Sequence, residues 1–222
     1  MPLVPLDRPF IVRQAFAVLN EAGLEGLTLR RLAERLTVKA PALYWHFKSK
    51  QDLLDEMATT VLRESMEKSA VVEATKPWKN WATAYYQCLR KTLLQYRDGA
   101  KMFSGTYLTD AELFAPMEAS LRRLVDAGFT LRQAVVGLGA LYSYTIGFVI
   151  EEQATQLAPG MPNPQYDLSA RERRVRKELY PLASAAGAEM FLRHNARFAE
   201  GIALIVEGMT AQLGRGTTRQ KK

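Results

Sequence analysis

The chain has 222 residues, 48% hydrophobic and 24% charged, which suits a small unit plus a larger body with its own core. That composition excludes a disordered or fibrous chain. The formal net charge is +7, and residues 1–50, the run Arg171–Lys177 and the tail Arg215–Lys222 each carry +4, leaving the remainder at −5.

Asp7 is placed to cap a first helix, with Pro9 in its first turn, where a missing N–H costs nothing. Ile11, Ala15, Val18 and Leu19 recur at helical spacing, and Gly23 reads as the stop. Thr28 caps a second helix that buries Leu29, Leu32, Ala33 and Leu36. Thr37 and Val38 make a turn with Val38 as its apolar plug, and a third helix runs from about Lys39 to His46 with Pro41 in its first turn. Ser49 to Asp52 is a capping-box pattern opening a fourth helix that reaches about Met66. Two short helices across a tight turn, followed by a third start, have the shape of a helix-turn-helix reader of the DNA major groove. A basic end on a mildly acidic body is the electrostatic footprint of such a protein. The other two basic runs also read as a solvated helix face and a disordered tail.

Residues 69–77 read as the hinge between two units. Beyond it the pattern gives a helix over Trp78–Tyr96, a break at Arg97-Asp98-Gly99, and a short helix near Ala100–Phe103 ending at Gly105. Thr109 caps the next helix, which ends at Gly128, and Thr130 caps a long one of some twenty-five residues. Leu157–Leu168 is a Pro/Gly-rich loop, and helices over about Ala170–Tyr180 and Ala186–Leu213 finish the chain. No convincing strand appears, so the fold class is all-α. The parts are a helix-turn-helix domain at 1–48, a connecting helix at 49–68, and a helical ligand-binding and dimerisation body at 69–222. Ala134–Ile150 runs seventeen residues without a charge, short of the roughly twenty that a membrane span needs. With three glycines, a serine, a threonine and two tyrosines it reads as buried core or as a helix shared with a dimer interface.

Within the reader, Arg30 and Arg31 lie in the first turn of the second helix, within reach of backbone or a guanine edge. Pro41 and Ala42 offer small apolar surfaces to a thymine methyl, Tyr44 and His46 can donate to phosphates, and Lys50 closes the clamp. Trp45 reads as packing against the first helix in preference to touching DNA. In the body, Tyr85, Leu89, Phe103, Met117, Leu138 and Tyr142 form apolar and aromatic stripes that serve equally as core. Thr106, Ser120 and Glu151 among them suggest a cavity with a few fixing groups. Glu151 and Glu152 end an apolar run, where the helix either emerges into solvent or meets water, a ligand or a partner chain.

Glu25-Gly26-Leu27-Thr28, the string LYWHFKSK at Leu43–Lys50, and Leu53-Leu54 resemble the DNA-binding domain of the TetR family of bacterial repressors. YRDGAK at Tyr96–Lys101, Gly105-Thr106, AGFT at Ala127–Thr130 and GFVIEEQ from Gly147 resemble the body of that family's tetracycline-binding members. The resemblance implies a cytoplasmic, homodimeric repressor of double-stranded operator DNA, released by a small-molecule effector and without a membrane. It also implies departures. Lys39 and Ala40 stand where those members have an acidic residue and a Gln, so Lys39 adds a contact of its own and the operator differs. Phe103 stands where a His holds the drug's magnesium, Tyr85 and Ser120 replace other fixing groups, and no His stands near Met66-Glu67. The expected effector is therefore aromatic or hydrophobic, bound with no metal and no cofactor. A DNA-binding or architectural protein without effector is the competing reading. Enzymatic activity finds no support around Cys88, whose solitude excludes an internal disulfide, or around His194, and no Gly-rich phosphate loop or metal-spaced cluster occurs. No secretory signal opens the chain.

Overall fold

A computed structural model describes residues 6–73, 77–103, 105–158 and 160–216. The first helix, α1 (Arg8–Gly26), starts as its sequence dictates, Asp7 accepting a hydrogen bond from the Phe10 amide at 2.8 Å. At Gly23 the backbone leaves the helix with φ +72°, and a side chain there would sit 2.9 Å from the Asp98 carboxylate. Glycine answers both demands, so the helix axis breaks where the body of the molecule comes closest. Thr28 caps α2 (Leu29–Leu36) by accepting from the Arg31 amide, and Thr37 turns the chain in the left-handed region at φ 56°. Helix α3 is shorter than expected, Ala40–Tyr44, and the long α4 follows at Lys50–Glu73. Ile11, Leu19, Leu27, Leu32, Leu43 and Phe47 close a core under these elements.

The capping box at the start of α4 is skewed. Ser49 accepts from the Asp52 amide at 3.1 Å, but Asp52 reaches back to the amide of Lys48 at 2.9 Å. Helix α4 also continues past Met66 to Glu73, which corrects the expected hinge at 69–77: its first five residues are helical, and 74–76 lie outside the described residues. Helix α4 packs along α5 (Trp78–Leu93).

After α5 the chain turns through Asp98, at φ 54°, into a 3-10 turn at Lys101–Phe103 and a second at Ala111–Leu113, then α6 (Phe114–Asp126) and α7 (Leu131–Ala154). Thr109 is not the cap assigned to it. Asp110 caps by accepting from the Glu112 amide, because the Thr109 hydroxyl is engaged by Glu56 and Thr59 of α4. Thr130 and Gln133 do form a full capping box on α7. The expected loop at 157–168 holds a small antiparallel hairpin, β1 (Gln156–Ala158) with β2 (Met161–Pro162), and a 3-10 turn at Pro164–Tyr166.

Helix α8 (Leu168–Arg174) stops short of the expected Tyr180, and the single last helix expected from the sequence is two, α9 (Pro181–Leu192) and α10 (His194–Gly216), broken at Arg193. The break lets Phe191 pack on Tyr166 while His194 meets Phe148 edge-on, a tertiary preference that no local breaker residue announces. Beneath it, the Arg90 guanidinium of α5 forks onto both carboxylate oxygens of Glu152 on α7, at 2.8 and 2.6 Å, and donates to Asn195 of α10 at 2.9 Å. The Phe148 and Phe198 rings lie under the same guanidinium. Glu152 thus has a buried partner, while Glu151 points to solvent.

One face of the body is unlike the rest. Helix α7 is long and apolar enough to cross a membrane by length and composition, yet only 28% of its most apolar window is buried. Val135, Val136, Gly139, Ala140, Ser143 and Gly147 on α7, with Ala203, Leu204 and Gly208 on α10, are exposed. A side chain added at Gly139, Gly147 or Gly208 would meet no atom within 4 Å.

Candidate functional site

The reader is a thin exposed layer on a fixed frame. Thr28, Arg30, Arg31, Lys39, Pro41 and Tyr44 are exposed, and Ala42 and His46 are half-buried. Among the described residues Arg30 pairs with Glu34 one turn along, at 3.1 Å in open solvent, so its guanidinium is readily redirected. The frame beneath is rigid: Arg8 lies over the Phe47 ring at 4.3 Å and donates to the His46 carbonyl at 2.6 Å and to Glu56 at 2.9 Å. Leu43 and Phe47 are fully buried, which fixes which sides of α3 remain outside.

Two residues depart from the sequence reading. Trp45 does not pack against α1; its side chain is 89% exposed. Leu43 and Phe47 already fill the space under α3, and helix geometry turns Trp45 away from them. The result is a large aromatic ring in water beside Tyr44, itself 54% exposed. The one signal in the sequence was its position between two buried neighbours in LYWHF. Lys50 donates its ammonium to the Leu24 carbonyl at 2.7 Å, tying α4 to the end of α1.

The head is coupled to the body at two places. Asp98 accepts from the Leu24 amide at 3.0 Å, the Arg97 amide donates to Asn20 at 2.9 Å, and the Arg97 guanidinium donates to the Glu21 carbonyl at 3.0 Å. On the other side, the segment after the Lys101–Phe103 turn clasps α4: the Tyr107 amide donates to Asp55 at 3.0 Å and Gln51 to the Gly105 carbonyl at 3.3 Å. Arg63 and Asp110 form an ion pair there, and the Arg63 guanidinium beside it holds the Asp110 carboxyl below the usual carboxylate range. The intervening loop is anchored to α7, where Gln153 donates to the Leu93 and Tyr96 carbonyls and accepts from the Ala100 amide.

The expected effector residues divide into three groups. Leu89 and Phe103 are in the core, Tyr85 and Leu138 are packed against it, and Tyr85 stacks on Trp81 at 5.8 Å. Burial pushes the Tyr85 phenol up to about 12, and Tyr86, which donates to the Leu138 carbonyl, is raised for the same reason. The polar members turn inward on their own backbone: Thr106 donates to the Phe103 carbonyl at 2.9 Å and Ser120 to the Pro116 carbonyl at 2.8 Å. Met117, Tyr142 and Glu151 are exposed.

Residues 11–57 match the family described as bacterial regulatory proteins of the tetR family, and residues 72–213 match the tetracyclin repressor-like C-terminal domain. The class A tetracycline repressor protein from transposon 1721 of Escherichia coli is 38% identical over 203 residues, covering 90% of this chain and 88% of that protein. The crystal structure of a possible TetR family transcriptional regulator from Streptomyces coelicolor A3(2) superposes with TM-score 0.81 at 33% identity, covering 92% of this chain and 99% of that one. The class A TetR in complex with 5a,6-anhydrotetracycline and magnesium superposes with TM-score 0.68 at 33% identity, covering 93% and 99%. This chain belongs to the TetR family of bacterial transcriptional repressors.

Proposed function

We propose that the chain is a ligand-responsive repressor that binds a near-palindromic operator as a homodimer and is released by a small aromatic or hydrophobic effector. The observation that carries this reading is the exposed, cationic and aromatic face of α2 and α3 held on a buried frame. Arg30 and Lys39 supply phosphate and guanine-edge contacts, Thr28, Tyr44 and His46 donate to the backbone, Pro41 and Ala42 meet thymine methyls, and Trp45 joins them. Lys50 holds α1 against α4 behind that face. Residues 1–48 form the reading head, 49–68 the connecting helix, and 69–222 the body.

The exposed strip on α7 and α10 supports pairing of two copies, since a strip rich in Gly, Ala, Ser and Val lets helices approach closely into a four-helix bundle. Two heads then address half-sites about 34–36 Å apart. The effector sits among Tyr85, Leu89, Phe103, Met117, Leu138 and Tyr142, with Thr106, Ser120 and Glu151 as polar groups. The Phe103 ring has no lone pair for a hard cation, so binding proceeds without the magnesium that accompanies anhydrotetracycline in the class A relative. Effector binding moves the Lys101–Phe103 turn, which the 105–110 clasp transmits to α4 and the Asp98 contact to α1. The shift is no larger than the effector's preference for one state. Fluorescence anisotropy of labelled operator, with and without a screened aromatic effector, tests this reading. Retained operator binding at saturating effector, identified by thermal shift, would remove it.

A further inference from the structure

A cavity of about 470 Å³ lies between the end of α7, the Pro164–Tyr166 turn and the α9–α10 joint, and none of the expected effector residues lines it. Its walls are apolar and aromatic: Leu168, Leu192, Tyr166 and Phe191, the last two in edge contact at 6.1 Å. This size and lining are those of sites that take small organic molecules. Most of its polar groups are already used. Asp167 accepts from the Ser169 amide and hydroxyl, and Asn163 donates to the Ala154 carbonyl and accepts from the Gln165 amide. The His194 imidazole and the Tyr166 hydroxyl make no hydrogen bond to any described residue.

We propose that this cavity is a second small-molecule site, taking a neutral, planar phenol whose hydroxyl donates to the His194 imidazole while its rings pack between Tyr166, Phe191 and Leu192. Burial holds the imidazole below its ordinary pKa, so at pH 7 it is neutral and has a lone pair to offer. An aromatic carboxylate fits less well, because Asp167 lines the cavity and no Lys or Arg does. The ligand bridges α9 and α10 across the break at Arg193 and stabilises that joint by mass action.

The chain has two histidines, so histidine-selective ¹⁵N labelling of the full-length protein gives two imidazoles to follow. Titration with 1-naphthol is expected to move the His194 ring resonances and leave those of His46 in place. 1-Methoxynaphthalene, which cannot donate, should bind about tenfold more weakly, the worth of one hydrogen bond of ordinary strength. His194→Phe keeps an aromatic edge against Phe148 and should lower naphthol affinity to that of the ether, and Leu192→Trp, at an exposed wall position, should block both compounds. Unmoved His194 resonances, equal affinity for phenol and ether, or naphthol binding abolished by Tyr85→Ala but untouched by His194→Phe would each overturn the proposal. The last outcome would place the probe in the effector region of the body instead.

Discussion

Trp45 and Phe47 stand two residues apart at the end of α3, one ring in water and the other sealed beneath the Arg8 guanidinium. Their replacements should therefore separate folding from reading. Phe47→Ala removes a fully buried ring and is expected to cost about 3–5 kcal/mol in denaturant unfolding. Trp45→Ala should change stability by less than about 0.5 kcal/mol, while weakening operator binding measured by anisotropy. The buried tyrosines make a second prediction. Tyr85 is pushed up to about 12 by burial, and Tyr96 likewise to about 12 by burial and the neighbouring Glu64 carboxylate. Their folded-state pKa values lie above the unfolded value near 10. Their contribution to stability is therefore complete below pH 10 and lost as pH rises from about 10 to 12, because the unfolded chain releases those protons first. Ultraviolet titration at alkaline pH should show phenolate formation delayed to the unfolding transition. A stability curve flat through pH 11 would contradict it.

At the scale of elements, the Arg90–Glu152–Asn195 cluster fastens α5, α7 and α10 to one another at the point where the last helix breaks. Arg90→Ala leaves a buried carboxylate alone and should cost about 3–5 kcal/mol, whereas Arg90→Met with Glu152→Leu should cost much less. Urea unfolding of the three proteins distinguishes a buried pair from a loose surface bridge. Which elements could be read from the sequence follows the same division between local and distant causes. Asp7, Thr28 and the Thr130–Gln133 box are local devices, legible because cap and helix lie within three residues of each other. Thr109 looked like a cap and is not, since its hydroxyl is claimed by α4, fifty residues earlier in the chain. The break at Arg193 is decided by packing partners far along the chain, and no local residue encodes it. The reader face was legible as a pattern, but the exposure of Trp45 required knowing that Leu43 and Phe47 fill the space beneath α3.

For the whole molecule, the proposed pairing of two copies rests on the exposed strip of α7 and α10. Leu204, 70% exposed on α10, sits in that strip. Leu204→Glu should convert a dimer to a monomer in sedimentation analysis, with a folded circular-dichroism spectrum and operator affinity lowered at least tenfold. A mutant that stays dimeric would place the interface elsewhere. If two cationic heads are held at groove-matching spacing by a shared helical base, binding sites selected from a random duplex DNA pool with the full-length protein will show it. Enrichment of a near-palindrome is expected, with half-site centres about one helical turn, roughly 34–36 Å, apart. Recovery of a single asymmetric half-site, or no enrichment at low salt, would contradict it.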